Sequence, residues 1–115
     1  MSYNAIHMAN INLGELELVV MLSVSRLADA AYGLRIRDDV SAVRSCDYSV
    51  GAIYSTLQRL EAKGLLESAM SDPLPVRGGR SRRYYHLTAA GRRSLAVERR
   101  AAQKLWGPFD GIRTV

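Results

Sequence analysis

The chain of 115 residues holds one cysteine, three prolines, two histidines, one tryptophan and one phenylalanine. A single cysteine excludes an internal disulfide, and Cys46 has no companion at metal-ligand spacing. That thiol is either a redox-sensing group or a small buried hydrophobe, and burial is the expectation. His7 and His86 have no carboxylate, serine or cysteine at a catalytic spacing, and no metal set exists, so the sequence does not read as an enzyme. No metal or other cofactor is expected. The longest apolar run, Leu18 to Leu22, is far too short to cross a bilayer. No basic-then-apolar leader with a small-residue cleavage site opens the chain, which makes the cytoplasm the expected compartment, without membrane association. Internal repeats and low-complexity segments are absent. The pair Gly78-Gly79 lies outside any GxxxxGK[ST] pattern and outside a strand-to-helix setting, which argues against a nucleotide cradle.

What is present is more specific. An apolar content of 48% is that of a folded chain, and the length allows one domain with a modest core, marginal as a monomer. Charge is unevenly placed. Residues 1–48 carry 4 basic and 6 acidic side chains, residues 49–93 carry 8 and 3, and residues 94–115 carry 4 and 2. The net charge of +5 therefore collects between Ser49 and Arg93. Such a footprint suits a polyanion, although a solvated basic surface has the same arithmetic.

Asn12, with Glu15 three residues later, resembles a helix-start pair. Leu16, Val19, Val20, Leu22 and Val24 make the first helix apolar over most of its circumference down to about Leu27, so it needs cover on several sides, a partner subunit included. Asp29 can cap a second helix from Ala30 to Arg44, with Tyr32, Ile36, Val40 and Val43 as its buried stripe. Ser49 is a good cap for a third helix to Lys63, stopped by Gly64. Spacing residues by about 100° puts Val50, Ile53, Leu57 and Leu60 inward and Gly51, Ala52, Ser55, Gln58, Arg59 and Ala62 outward, with Tyr54 on the flank. Small outer residues let a helix backbone approach a groove floor, while Gln58 and Arg59 supply donors. Leu65–Ser71 and Arg82–Leu87 read as two strands around a loop bearing Arg77 and Arg80. Thr88 caps a last helix to about Trp106, closed by Gly107-Pro108.

Three helices, a two-stranded wing and a trailing helix define a mainly α fold with a small β-hairpin, a winged helix-turn-helix. Glu15–Leu22, the run Tyr32-Gly33-Leu34-Arg35-Ile36, Ser49–Leu66 and Arg83–Gly91 resemble, in that order and spacing, the PadR family of bacterial transcriptional regulators. The resemblance covers roughly residues 13–96. It implies a homodimer, usually a repressor, on a palindromic operator, with the third helix in the major groove and the wing on the backbone or neighbouring minor groove. Ser49, Gly51, Tyr54 and Ser55 sit where family members contact DNA, although the family often has proline at the place of Ser55. The short stretch after Thr88 resembles the short kind, whose last helix alone crosses to the partner.

These readings divide the chain into an arm (1–11), a winged-helix DNA-binding domain (12–88) and a C-terminal dimerisation helix and tail (89–115). The expected DNA contacts are Ser49, Gly51, Ala52, Tyr54, Ser55, Gln58, Arg59, Arg77, Arg80 and Arg82. Tyr54 is read as a hydroxyl reaching a phosphate, against a half-buried core aromatic. The expected dimer interface uses Leu16, Val20, Leu95, Ala102, Leu105 and Trp106. Trp106 reads as interface packing or, as in some short relatives, as lining for a planar hydrophobic effector. A winged-helix module that binds another protein without touching DNA is the alternative from a different class.

Overall fold

The computed structural model describes residues 13–73 and 77–111. Helix α1 (Glu15–Leu27) is followed by a 3-10 turn (Ala28–Ala30), α2 (Gly33–Arg44), α3 (Val50–Ala62), strands β1 (Leu66–Met70) and β2 (Arg83–Leu87), and α4 (Ala89–Trp106). The two strands pair antiparallel, from Leu66 opposite Leu87 to Met70 opposite Arg83. The mainly α winged-helix architecture is the one expected.

Local signals set most of the boundaries. Ser49 Oγ accepts the Ala52 amide at 3.1 Å and starts α3; satisfying one of the free amides of a first turn contributes about 1 kcal/mol. Gly64, at φ +76°, ends it in a conformation that side chains other than glycine's resist. At the root of α4, Thr88 Oγ1 accepts the Gly91 amide at 3.0 Å and donates to the Gly64 carbonyl at 2.6 Å.

Two helix starts differ from expectation. The first residue before α1 is Gly14, whose amide donates to Glu17 Oε1 at 2.9 Å; the Asn12 cap lies outside the described residues. α2 begins at Gly33, not Ala30, because Tyr32 is extended and bridges Tyr84 of β2, while the Tyr85 amide donates to the Ala31 carbonyl at 2.9 Å. A residue held in strand geometry cannot also be helical, so Asp29 is left exposed in the 3-10 turn.

The core collects Val20, Met21 and Val24 from α1, Ile36 and Val40 from α2, Ile53, Leu57 and Leu60 from α3, and Leu65, Leu66 and Tyr85 from the hairpin. Each fully buried large apolar side chain contributes roughly 1.5–3 kcal/mol over leaving it in water. The helical stripes stop where this core stops. Val43, one turn beyond Val40, is 56% exposed, and Val50 at the first turn of α3 is also exposed, both against expectation. Cys46 is exposed as well, correcting its expected burial. It lies in the short connection between α2 and α3, which runs over the surface. Val20 is wholly enclosed within the chain's own core, so the expectation that it meets a partner subunit is withdrawn.

Candidate nucleic-acid interface

The outer side of α3 is sparsely furnished. Ser49, Gly51, Ser55 and Gln58 are exposed and Ala52 is half-buried. A Cβ built on Gly51 meets nothing within 4 Å, so packing within the chain does not demand glycine there. Thr56, by contrast, is fully buried, and its hydroxyl donates to the Ala52 carbonyl at 2.8 Å. Tyr54 is partly exposed on the flank, and its ring lies against the first turn of α2. A Cβ added to Gly33 would stand 2.3 Å from the Tyr54 hydroxyl oxygen. Gly33 thus admits the ring and leaves that hydroxyl beside the start of α2.

Arg59, expected as a groove donor, is exposed but also engaged within the chain. Its Nη2 donates to Thr56 Oγ1 at 3.2 Å and its Nε stands 3.8 Å from Glu17 Oε2. The guanidinium is drawn toward α1 by an acidic side chain that sequence pattern had not singled out. Glu17 is buried, and its carboxylate also accepts from Lys63 Nζ at 2.7 Å. Burial alone would raise the Glu17 pKa. The Lys63 hydrogen bond, the Gly14 amide and the charges of Lys63 and Arg59 outweigh it, leaving the carboxyl below the usual glutamate range. One signal for Glu17 was available: an acid between Leu16 and Leu18 in a helix apolar nearly all round needs a partner.

The wing divides its arginines by environment. Arg77 and Arg80 are exposed and make no hydrogen bond or ion pair among the described residues. Arg82 is half-buried, its guanidinium carbon 4.1 Å from the centre of the Tyr32 ring. Arg83 Nη1 donates to Ser68 Oγ at 2.9 Å, and that hydroxyl donates to Glu61 Oε2 of α3 at 2.8 Å. The wing base is therefore tied to the last turn of the helix it accompanies. Ser71 and Arg82 close the open end of the hairpin, the Ser71 amide donating to the Arg82 carbonyl at 2.7 Å.

Elsewhere, α1 and α4 frame a largely apolar groove of about 500 Å³ lined by Leu18, Leu22, Leu95, Ala96, Glu98, Arg99 and Ala102. Leu16 and Leu95 are half-buried against the core. From Ala101 onward every described residue of α4 and its tail is exposed. Leu105 is 86% and Trp106 62% exposed, and the Trp106 ring tilts against Phe109 at 5.4 Å. Leu18, Leu22 and Phe109 were not anticipated at this surface, although the apolar pattern of α1 contained Leu22. No helix among the described residues is long and apolar enough to cross a membrane.

Three helices, a hairpin and a trailing helix in this order define a winged helix-turn-helix protein. Residues 21–97 match the transcriptional regulator PadR-like family, and the chain belongs to it. Over 57 residues it is 49% identical to the transcriptional regulator Rv3488 of Mycobacterium tuberculosis, an alignment that covers 50% of each chain. The chain thus spans about half the length of this curated relative. A PadR-like transcription factor from Bacteroides fragilis shares its fold with a TM-score of 0.63 and 27% identity, covering 78% of this chain and 82% of the other. A PadR family transcription regulator from Clostridium difficile does so with a TM-score of 0.59 and 28% identity, covering 81% and 95%.

Proposed function

We propose that the chain is a cytoplasmic homodimeric repressor that binds double-stranded DNA at a palindromic operator. The observation that carries this reading is the exposed, lightly furnished side of α3 next to a wing whose Arg77 and Arg80 have no partner among the described residues. Side chains as small as Gly51, Ala52 and Ser55 allow close approach to base edges, and Gln58 supplies the bidentate amide suited to adenine. Ser49 and the Tyr54 hydroxyl reach phosphates from the ends of α3 and α2. Arg77 and Arg80 supply the sequence-independent, salt-sensitive part of the affinity through counterion release. Arg59, already engaged by Glu17 and Thr56, is a lesser contributor.

The apolar surface of α1 and α4 supports the dimer. Leu105, Trp106 and Phe109 stand in water at the exposed end of α4, and an apolar groove lies between α1 and α4. A second copy covers both, with Leu16, Leu95, Ala102, Leu105 and Trp106 in the contact. Two-fold symmetry then sets two copies of α3 about one helical turn apart, so the site on DNA is an inverted repeat. The same groove supports a planar hydrophobic effector as release signal.

Footprinting of the purified protein on its own upstream DNA tests the reading. The expected result is a protected inverted repeat with half-sites about 10 base pairs apart, bound by a dimer in light scattering. A monomer at micromolar concentration, or no protected repeat at moderate salt, refutes it.

A further inference from the structure

Three aromatic and basic side chains form a joint between the wing and the helical part. The Arg82 guanidinium lies over the Tyr32 ring at 4.1 Å, and the Tyr84 ring meets Tyr32 edge-on at 5.6 Å and 71°. The backbone repeats the connection, since Tyr32 bridges Tyr84 and Ala31 accepts the Tyr85 amide. Tyr32 is also the residue immediately before α2, and its neighbour Gly33 receives the Tyr54 hydroxyl from α3. A continuous path therefore runs from the wing through Tyr32 to the flank of the recognition helix.

Arg77, Arg80 and Arg82 of the wing carry the same charge but not the same freedom. Arg77 and Arg80 are unengaged among the described residues, whereas Arg82 is held on an aromatic face, where its charge still acts at a distance while its geometry is fixed. We propose that Tyr32 is a positioning residue for DNA binding: it clamps Arg82 and Tyr84, and so sets the angle of the wing to α3 at which both reach the duplex together. This rests on the DNA-binding reading above. Tyr32 touches no nucleotide in this role and acts through Arg80 and Arg77.

The test uses the full chain, its operator, and the variants Tyr32→Leu, Tyr32→Phe and Arg80→Ala. Tyr32→Leu is expected to weaken operator binding about tenfold, the scale of removing one aromatic–cation platform. The salt dependence of binding should flatten by about one unit of slope for each phosphate that the wing no longer neutralises. Discrimination between the operator and single-base variants read by α3 stays unchanged. In the Arg80→Ala background the further effect of Tyr32→Leu should shrink below about threefold, because the wing then has no arginine at position 80 to misplace. Tyr32→Phe keeps the platform and behaves as wild type.

In the free protein, hydrogen exchange at the Tyr85 amide should accelerate about tenfold in Tyr32→Leu, while the amides of Ile53 and Leu57 are unaffected. Should Tyr32→Leu fail to fold, Arg82→Gln opens the same joint from the wing side and should show the same coupling to Arg80→Ala. Additive effects, an unchanged salt slope, unchanged Tyr85 exchange, or equal damage from Tyr32→Phe each overturn the proposal. Absence of operator binding by the wild type strikes the DNA-binding reading instead, and the exchange experiment still decides whether the joint exists.

Discussion

Replacing Gly91 by alanine sets two opposite forces against each other at one atom. Gly91 is buried in the first turn of α4, and a Cβ there would lie 2.2 Å from the Leu65 carbonyl oxygen and 3.1 Å from its carbon. That carbonyl cannot turn aside freely, since it accepts the Thr88 amide at 3.1 Å. Reaching an ordinary carbon–oxygen contact of about 3.3 Å requires the root of α4 to back away by about 1 Å. Overpacking of this kind costs roughly 1–3 kcal/mol. Lengthening the Gly91–Thr88 hydrogen bond forfeits part of a cap that contributes about 1 kcal/mol. Against these stands the helix preference of alanine over glycine, about 1 kcal/mol. The net is a loss of about 2 kcal/mol, which lowers the midpoint of thermal unfolding by on the order of 10 °C in a chain of this size. Thermal and urea unfolding at matched protein concentration measure it, since the stability of the proposed dimer depends on concentration. A Gly91→Ala protein as stable as wild type, or more stable as helix preference alone demands, refutes the steric argument.

Gly51→Ala is the complementary case, because open space surrounds that Cβ. Stability should rise by about 0.4–1 kcal/mol, while operator affinity measured by fluorescence anisotropy falls if α3 sinks into a groove; unchanged affinity would remove Gly51 from the contact surface. Glu17→Gln should cost about 1–2 kcal/mol near neutral pH, the worth of a charge-assisted hydrogen bond to a lysine that keeps a third of its side chain in water. The folded-state pKa of Glu17 lies below the ordinary glutamate value that it has in the unfolded chain. The advantage of wild type over Glu17→Gln in urea titrations is therefore full above about pH 5 and disappears as pH falls through the folded-state pKa; a gap that widens in acid contradicts the assignment. Arg80→Ala should weaken binding to every sequence alike and reduce the salt slope by about 0.9, whereas a loss confined to particular bases would mean that Arg80 reads sequence.

The features that were legible in the sequence are those written within a few residues of themselves. Ser49, Gly64 and Thr88 mark helix ends by bonds or backbone angles that span three residues or fewer. The alternation in Arg82–Leu87 marked a strand, without telling which of its faces packs inward. What escaped depends on partners distant in sequence. The start of α2 at Gly33 is dictated by Tyr84, the environment of Glu17 by Lys63, and the posture of Arg82 by Tyr32. Val20 illustrates the same limit. Periodicity announces an apolar face of α1, but not whether that face meets this chain's own core or another subunit. Within the candidate site, the placement of Arg77 and Arg80 on the loop between the strands was legible from the loop composition. The diversion of Arg59 toward α1 did not, because nothing near Arg59 in sequence signals the buried carboxylate that draws it.

Thr88 has a mechanical consequence. Its amide, its hydroxyl hydrogen and its hydroxyl oxygen engage Leu65, Gly64 and Gly91 respectively, so the tail of one helix and the head of the next meet in a single rigid knuckle. The start of α4 is thereby pinned to the residues that close α3, and the orientation of one helix is referred to the other through a single side chain.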